Sequence, residues 1–352
     1  MDRYTHMNIL FLIGNGLDLQ YKMKTSYKNF YDDQRVIYEE RKSNATDKRP
    51  YSNYIYKSLY DEQDKNAVNE KSNWLDLELY IGELSKKYWK TNPKDGWDKF
   101  VEDFEEVEYD LNLYLQKQES DYVTDGKQIN FKKTLDNLLV DLEEAYSSRL
   151  HSYVKGFVPS SDRVRILTFN YTMVLDKILD SSPKKYDGSF TSEAYSTTID
   201  KVCHAHGLLN NNPVLGVSDE TQISDLMGEE ISKFFVKEKI IEYCKNNNNQ
   251  RNEAMINEAD LIIIFGMSLG ETDSYIWEKV ATKSIYSNIP IVIYHYKDNF
   301  ERRIPATTIR EYIKVENKFI KNSRVKDENI DKLRNNILVA INKAIFEIEE
   351  KK

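Results

Sequence analysis

Short runs of consecutive apolar residues that end in glycine or polar turns constrain the fold of this chain most strongly. The first covers residues 8–13 (NILFLI) and stops at Gly14-Asn15-Gly16. An uninterrupted apolar run of this length is typical of a strand buried on both faces, as in a parallel sheet. Similar runs cover residues 164–171, 259–270 and 289–296, and weaker strand candidates cover 201–207 and 213–217. Helical patterns lie between several of these runs, so the sequence predicts an α/β fold with a Rossmann-like parallel sheet.

The long segment between the first two predicted strands has a polar, helical pattern. Its apolar residues recur at intervals of three and four, which predicts an amphipathic helix through Trp97, Phe100, Val101, Phe104, Val107, Leu111 and Tyr114. The same spacing predicts a C-terminal helix through Ile330, Leu333, Ile337, Ile341, Ala344, Ile345 and Ile348. We therefore predict a core of residues 7–27 plus 160–320, a helical insertion of residues 28–159, and a C-terminal helix within residues 321–352 that packs on the core.

The composition argues against several classes of protein. A net charge of −8 is not that of a general nucleic-acid binder, because phosphate contacts need an excess of Lys and Arg. The two cysteines, Cys203 and Cys244, form neither a disulfide framework nor a zinc-binding spacing, which indicates a reducing environment. The sequence contains no signal-peptide pattern and no apolar run of about 18 residues. We expect a cytoplasmic protein without a membrane contact.

Polar or glycine-rich residues follow four of the predicted strands. Ligands of open α/β sheets bind outside the carboxyl ends of the strands, and these ends meet at one edge when the strands are parallel. The sequence therefore predicts one shared site, formed by Gly14, Asn15, Gly16 and Asp18 after the first strand, Asn170 and Thr172 after the next, and His206, Gly207, Gly266, Ser268 and Asp273 further on.

Each of these residues also has a structural interpretation, which the sequence leaves open. The glycines fit a tight turn, and Asn170 fits the N-cap of a helix that begins at Tyr171. Asp273 fits the start of a helix that runs toward Trp277. His204 and His206 alternate along a strand and so point the same way, but no third ligand has a suitable spacing, and we expect no metal.

A carboxylate pair, Asp76 and Glu78, lies in the segment NWLDLE (residues 73–78). In a helix the two side chains would point about 200° apart, which prevents them from acting together. We interpret this segment as structural, with Asn73 capping a helix whose Trp74, Leu77 and Ile81 pack inward.

Several ordered motifs resemble the AbiH family of bacterial phage abortive-infection proteins. They are FLIGNGLDL followed by KTSYKNF, then NWLDLE, ILTFNYT (166–172), HAHGLL (204–209) and IIIFGMSLGETD (262–273). The set spans residue 8 to about residue 280, most of the chain. This resemblance implies an antiphage effector. We expect its activity to be restrained by a regulatory partner protein, a lid or a homo-oligomeric state and to be released by a phage-derived trigger.

The same motifs resemble, more distantly, the sirtuin-like fold of sirtuins and bacterial defence NAD hydrolases. The resemblance implies NAD as ligand or substrate, with catalytic roles for Asn170 and His206. It also implies that the phosphate turn is Gly14 and Gly16, that Thr168 opens the Thr-x-Asn segment, that Gly207 completes a His-Gly pair, and that Gly266 and Ser268 meet a ribose or phosphate. The pattern departs from the sirtuins at Asn15, at Thr172 (where they have Asp) and at Asp18, and the sirtuin zinc module is absent.

These inferences favour hydrolysis of NAD at the nicotinamide–ribose bond. At an ordinary pKa of about 6.5, His206 would be mostly neutral at pH 7 and could deprotonate a hydroxyl. One alternative is a non-catalytic sensor of NAD or ADP-ribose derivatives, which would use the same pocket. A second is a serine hydrolase with Gly266-Met267-Ser268-Leu269-Gly270 as a nucleophile elbow and His295 as base, although Asp273 is too near for the usual acid. A third is a nuclease, which no carboxylate cluster or basic patch supports.

Overall fold

A computed structural model of the protein describes residues 6–44, 51–61, 76–91, 96–244, 248–300 and 304–350. Its strands are β1 (His6–Ile13), β2 (Lys127–Ile129), β3 (Ser161–Thr168), β4 (Lys185–Asp187), β5 (Ser196–His204), β6 (Leu261–Phe265), β7 (Ile291–His295), β8 (Ile337–Ile341) and β9 (Ile348–Glu350). Seven of them form one sheet in the order β4-β5-β3-β1-β6-β7-β8, and only the β4–β5 pair is antiparallel. Counted along the chain, the six parallel strands have the order 3-2-1-4-5-6 of a doubly wound Rossmann sheet, which confirms the predicted fold class at this level.

The helices that surround this sheet come in two groups. Those between β1 and β3 are α1 (Gly16–Gln20), α2 (Tyr27–Asn44), α3 (Tyr54–Tyr60), α4 (Leu77–Thr91), α5 (Gly96–Asp121), α6 (Phe131–Asp141) and α7 (Glu144–Lys155). Those that follow β3 are α8 (Val174–Asp180), α9 (Glu229–Ser232), α10 (Lys237–Tyr243), α11 (Asn248–Asn257), α12 (Ser274–Ser287), α13 (Pro305–Asn322) and α14 (Ile330–Asn336). The predicted helical segment after the first strand is confirmed.

Alternate residues of each parallel strand pack on opposite faces of the sheet. In β1, Ile9, Phe11 and Ile13 join one apolar core, whereas Leu10 and Leu12 join the other. Because both faces are covered, nearly every side chain of the strand is apolar and buried. The uninterrupted apolar runs of the sequence are a direct consequence of this burial.

The helical segment after β1 packs in two places. Its later helices, α6 and α7, contribute Leu135, Leu138 and Leu150 to one core of the sheet. Its earlier helices form a third apolar core, which also includes Leu215 and Phe235 from the segment after β5. The insertion is therefore in contact with the sheet and with the loops at its carboxyl edge.

The prediction for the C-terminus was wrong. Only residues 330–336 form a helix there, and the next five residues, ILVAI, form the fully buried strand β8 beside β7. Their apolar residues fit a helical spacing, but five consecutive apolar side chains are what a strand covered on both faces requires. The predicted strand at 213–217 is also absent, and Val217 makes only an isolated bridge with Val236. None of the helices in the described residues has the length and hydropathy to cross a membrane.

Candidate functional site

The carboxyl ends of five parallel strands are aligned at one edge of the sheet. His204 pairs with Thr168, Thr168 with Ile13, and Ile13 with Phe265, and Phe265 in turn pairs with Tyr294. The segments that follow β1, β3, β5 and β6 therefore start side by side, which confirms the predicted convergence of the four motifs.

The three glycines Gly14, Gly16 and Gly266 allow two of these turns to pack directly on each other. The Gly14 amide donates to Phe265 O and the Gly16 amide to Gly266 O, both at 2.9 Å. A Cβ on Gly16 would lie 2.3 Å from the Gly266 Cα, so no side chain fits there. The turn amides that were predicted to hold a phosphate thus donate to main-chain carbonyls, and the glycines are explained by close turn packing.

We expect Gly266→Ala to lower the free energy of unfolding by more than about 3 kcal/mol. Its φ of +69° is strained for alanine, and the added Cβ would lie 2.8 Å from the Gly16 backbone. Gly96→Ala is the matched control, since its φ is +67° and a Cβ meets nothing within 4 Å. Gly96→Ala should lower the free energy of unfolding by only about 1 kcal/mol. Chemical unfolding of both variants checks the difference, and equal losses would contradict the packing argument.

Asn15 connects the first turn to the segment that precedes α2. Its amide nitrogen donates to Thr25 O at 3.1 Å, and its Oδ1 accepts from the Thr25 hydroxyl at 2.6 Å. Both polar ends of Asn15 are thereby used, so this departure from the sirtuin pattern has a structural explanation.

Asp18 is buried and accepts hydrogen bonds from two residues that follow β3, Asn170 and Thr172. Its Oδ1 accepts from Asn170 Nδ2 at 2.9 Å and its Oδ2 from the Thr172 hydroxyl at 3.0 Å. Burial raises the pKa of Asp18 to about 6, although these two hydrogen bonds oppose the shift. Asn170 does not cap a helix, because α8 begins at Val174 with Met173 at the N-cap; that alternative was wrong.

The departures from the sirtuin pattern at positions 18 and 172 are therefore coupled. A carboxylate at position 18 is matched by a hydroxyl donor at position 172, whereas Asp at both positions would bury two like charges side by side. The sequence does not show this contact, because 154 residues separate the two positions.

We expect Thr172→Asp to destabilise the fold by at least about 3 kcal/mol at pH 8, because two buried carboxylates would repel each other. Adding Asp18→Asn should restore most of this loss, since one carboxylate would again face neutral groups. The single variant should regain stability as the pH falls through the raised carboxyl pKa values, when one acid becomes protonated. Urea unfolding of both variants at pH 5 and pH 8 tests this, and a double variant as unstable as the single would refute the coupling.

His204 and His206 lie in different surroundings. β5 ends at His204, whose Nδ1 lies 2.9 Å from Asn170 O and whose Nε2 lies 3.1 Å from Asp176 Oδ2. His206 instead packs its ring edge-on against Phe169 at 5.2 Å, and its Nε2 lies 3.5 Å from Asp273 Oδ1. The predicted common direction of the two rings is wrong, and His204 has a structural role that links β5 to β3 and α8.

Lys237 is a buried residue of the site that the sequence did not single out. Its ammonium donates to Glu78 Oε2 and Asp273 Oδ1, both at 2.8 Å, and to Thr272 O at 3.1 Å. Its side chain is only 1% exposed. A lysine at the start of an ordinary polar helix gives no sequence signal of such burial, and only the contacts with α4 and the β6–α12 connection reveal it.

The carboxylates of the NWLDLE segment both reach this region, which corrects their assignment to opposite helix faces. Asp76 precedes α4 and accepts from the Leu79 amide at 3.0 Å and from the Thr272 hydroxyl at 3.1 Å. Glu78 is in the first turn of the helix and binds Lys237. The proposed cap Asn73 and its neighbour Trp74 lie outside the described residues.

Burial and the Lys237 ammonium control the protonation of this cluster. Burial raises the pKa of Glu78 to about 7, although Lys237 acts in the opposite direction. Burial also favours neutral Asp273, but Lys237 outweighs it and lowers the pKa of Asp273. Burial, with Lys237 in support, lowers the pKa of His206 to about 3. His206 is therefore neutral at physiological pH but a much weaker base than the sequence led us to expect.

The remaining predicted residues occupy the same edge. The Thr168 hydroxyl donates to Ile13 O and accepts from the Asn170 amide. Gly207 has a φ of +78° in a turn, where a Cβ would lie 2.4 Å from Asn212 O. Asp273 is at the N-cap position of α12, but its side chain makes no cap hydrogen bond and binds Lys237 instead.

Ser268 is exposed between β6 and α12, and its surroundings do not support the hydrolase alternative. A nucleophile elbow places the serine at a sharp turn from strand to helix, whereas α12 begins only at Ser274. His295 is hydrogen-bonded with Glu311 at 2.9 Å. Within the described ranges, no histidine forms a hydrogen bond with Ser268.

Two buried polar atoms at the centre of the site lack hydrogen-bond partners among the described residues. They are Asn170 Oδ1 and His206 Nε2. The 3.5 Å separation from Asp273 allows charge attraction for the second atom but no hydrogen bond. Both residues lie two positions beyond the register pair Thr168–His204. Buried polar atoms are rarely left unpaired, so this pair indicates a place for a polar ligand.

The described residues contain no group of three or more His, Cys, Asp or Glu side chains arranged to hold a metal ion. A family model described as bacteriophage abortive infection AbiH matches residues 10–295 of the chain. No match was found among curated proteins or among solved structures.

Proposed function

The chain belongs to the AbiH family of bacteriophage abortive-infection proteins, and we propose that it performs this antiphage role by hydrolysing NAD at the nicotinamide–ribose bond. The observation that carries the proposal is that two buried polar atoms, Asn170 Oδ1 and His206 Nε2, have no hydrogen-bond partner among the described residues and belong to the segments that follow the paired strands β3 and β5. An amide oxygen accepts a hydrogen bond, and an imidazole nitrogen donates or accepts according to its tautomer. Water or a sugar hydroxyl, which is both donor and acceptor, is complementary to this pair.

The chemistry of the bond suits a site with few catalytic groups. Nicotinamide leaves as a neutral molecule from a cationic ring, through a transition state that resembles an oxocarbenium ion. Hydrolysis adds the oxygen of water to the anomeric carbon and releases ADP-ribose, nicotinamide and one proton. Asn170 would orient the water, and the ionised Asp273 would stabilise the positive charge that develops nearby.

The low pKa of His206 is compatible with this reaction. Water that has just bonded to an oxocarbenium carbon is a strong acid, so even a weak base accepts its proton. His206 Nε2 would receive that proton, and Asp273, 3.5 Å away, would stabilise the imidazolium. A reaction that requires a strong general base would not suit a histidine with a pKa of about 3.

Substrate entry requires movement of the insertion. The side chain of His206 is only 5% exposed, and Glu78 on α4 belongs to the group of charges beside it. Contacts to the substrate phosphates are assigned to exposed Ser268, because the Gly14 and Gly16 amides are occupied by main-chain carbonyls. The closed site would restrain a toxic activity in uninfected cells, and a phage-derived trigger or a change of homo-oligomeric state would open it.

Chromatographic separation of nicotinamide and ADP-ribose after incubation of the protein with NAD tests this function. The assay is run with and without a phage lysate, because activation is part of the proposal. We expect both products in equal amounts once the protein is activated. Absence of both products in every condition, from protein that protects cells against phage, would disprove it.

The weak basicity of His206 also favours one alternative, a non-catalytic sensor of NAD or ADP-ribose derivatives. Such a sensor would use the same unpaired atoms to bind the ligand. Saturable NAD binding without release of nicotinamide, again with phage lysate present, would favour this alternative.

A further inference from the structure

A cavity of about 380 Å³ lies beside the candidate site, between α5, the segment after β5 and α10. Its floor is apolar and buried, whereas its rim is exposed at Tyr109, Phe234 and Cys244. The floor residues are Leu111, Leu115, Leu209, Val214 and Leu215. The volume is within the range of small-molecule sites, which are mostly apolar with a few polar groups.

Tyr171 separates this cavity from the candidate catalytic histidine. Its ring lines the cavity, and the ring centroid lies 6.5 Å from that of His206. Its hydroxyl donates to Val214 O at 2.8 Å, which fixes the ring between the two spaces. A ligand in the cavity would therefore lie one aromatic ring away from His206.

Glu108 is the distinctive polar group of the cavity wall. Its carboxyl makes no hydrogen bond and no ion pair with any described residue, and no Lys, Arg or His lines the cavity. The neighbouring Asn112 is satisfied, since it donates to Leu209 O and accepts from Gln116. Glu108 is partly exposed at the cavity wall, and the desolvation of its carboxyl, with repulsion from Glu105, raises its pKa to about 8.

A neutral carboxylic acid offers one donor and one acceptor side by side. In an apolar cavity its complement is a planar group whose acceptor faces the donor of the acid and whose donor faces its acceptor, such as a primary carboxamide. We propose that this cavity binds a flat heteroaromatic ring bearing a carboxamide, and that Glu108 pairs with the amide. The choice of this ring rests on the proposed hydrolysis of NAD, whose nicotinamide has such an amide; the cavity itself does not depend on turnover.

Calorimetric titration of the full chain with nicotinamide at pH 7 tests this inference without any reaction. Nicotinate is the matched ligand, because a carboxylate replaces the amide on the same ring and offers no donor. We expect nicotinamide to bind at least about tenfold more tightly. Equal affinities, or no binding of nicotinamide at millimolar concentrations by folded protein, would overturn the inference.

Two substitutions of Glu108 distinguish its hydrogen bonds with the ligand from its contribution to the shape of the cavity. Glu108→Leu should weaken nicotinamide binding at least about tenfold, whereas Glu108→Gln, which keeps a donor and an acceptor, should stay within about threefold at pH 7. Glu102→Gln, an exposed acid on the same helix, is the control and should bind as the unmodified protein does. Unchanged binding by Glu108→Leu, with its fold verified by circular dichroism, would overturn the assignment.

The pH dependence of binding gives an independent readout. The ligand pairs with the protonated acid, so affinity is full below the pKa of Glu108 and falls as the pH rises through about 8. The other titratable groups that face Glu108 are Glu105 on its own helix and the side chains of Tyr109, Tyr171 and Cys244 on the cavity wall. Glu108→Gln should remove the decline, and a decline that persists in this variant would overturn the role of Glu108. NAD hydrolysis by a protein that does not bind nicotinamide would refute only the proposed ligand of the cavity. Nicotinamide binding by a protein that does not hydrolyse NAD would refute only the proposed function.

Discussion

Replacing His206 or Asn170 by alanine is expected to lower the rate of NAD hydrolysis at least about 100-fold while the protein still folds. His206 Nε2 and Asn170 Oδ1 have no partners in the described structure, so removing these atoms breaks no hydrogen bond that they make. His206→Ala loses ring packing against Phe169 and Tyr171 and the attraction to Asp273. Asn170→Ala also removes a donor to Asp18, which should cost about 1–3 kcal/mol of stability. Steady-state kinetics with thermal unfolding of each variant separates these effects.

Two controls distinguish this result from a general loss of function. His295→Gln changes another histidine of the same sheet, one that pairs with Glu311, and should leave hydrolysis within about twofold. Ser268→Ala should raise the KM for NAD and leave kcat nearly unchanged, because the hydroxyl is assigned to binding. If both His206→Ala and Asn170→Ala kept cellular toxicity and phage protection, NAD cleavage would be the wrong activity for this protein.

Lys237→Met is expected to produce the largest loss of stability, about 3–5 kcal/mol at pH 8. Methionine fills a similar volume, but Glu78 and Asp273 would then lie in the interior without the ammonium that both now contact at 2.8 Å. Such a loss should lower the melting temperature by roughly 4–7 °C. Without Lys237 the pKa values of both carboxyls rise, so the variant should be most stable at low pH and lose stability as the pH rises through those raised values. Thermal unfolding at pH 5.5 and pH 8 measures both effects.

Lys239→Met is the matched control on the same helix. Lys239 pairs with Glu220, whose side chain is 60% exposed, so its loss should cost less than about 1 kcal/mol. Adding Glu78→Gln to Lys237→Met should recover part of the lost stability, because one uncompensated charge disappears. A Lys237→Met variant as stable as Lys239→Met would show that the buried ion pairs do not stabilise the contact between α4 and the core.

The sequence predicted the central sheet well because its signal is local. Strands such as β1 and β6 are covered on both faces, and this requires consecutive apolar residues that are visible without any tertiary information. Local pattern alone gave the wrong prediction of a C-terminal helix, because the apolar residues of β8 also fit a helical spacing. There the pairing with β7 decides the structure, because a run of five apolar residues suits a doubly covered strand but also fits a buried helix segment.

The sequence predicted which strand ends form the candidate site, but it did not predict the side-chain contacts within it. Parallel strands bring their carboxyl ends to one edge, so the sequence alone predicted that Asn170 and His206 follow neighbouring strand ends there. It did not reveal Lys237, which contacts Glu78 from 159 positions away, or the pairing of Asp18 with Asn170 across 152 positions. It also predicted an ordinary pKa for His206, because ionisation depends on burial and neighbouring charge rather than on residue type. Periodicity along the chain therefore determined the sheet and the edge at which its parallel strands end. The packing of the insertion against that edge decided which side chains are charged and which buried polar atoms have a hydrogen-bond partner.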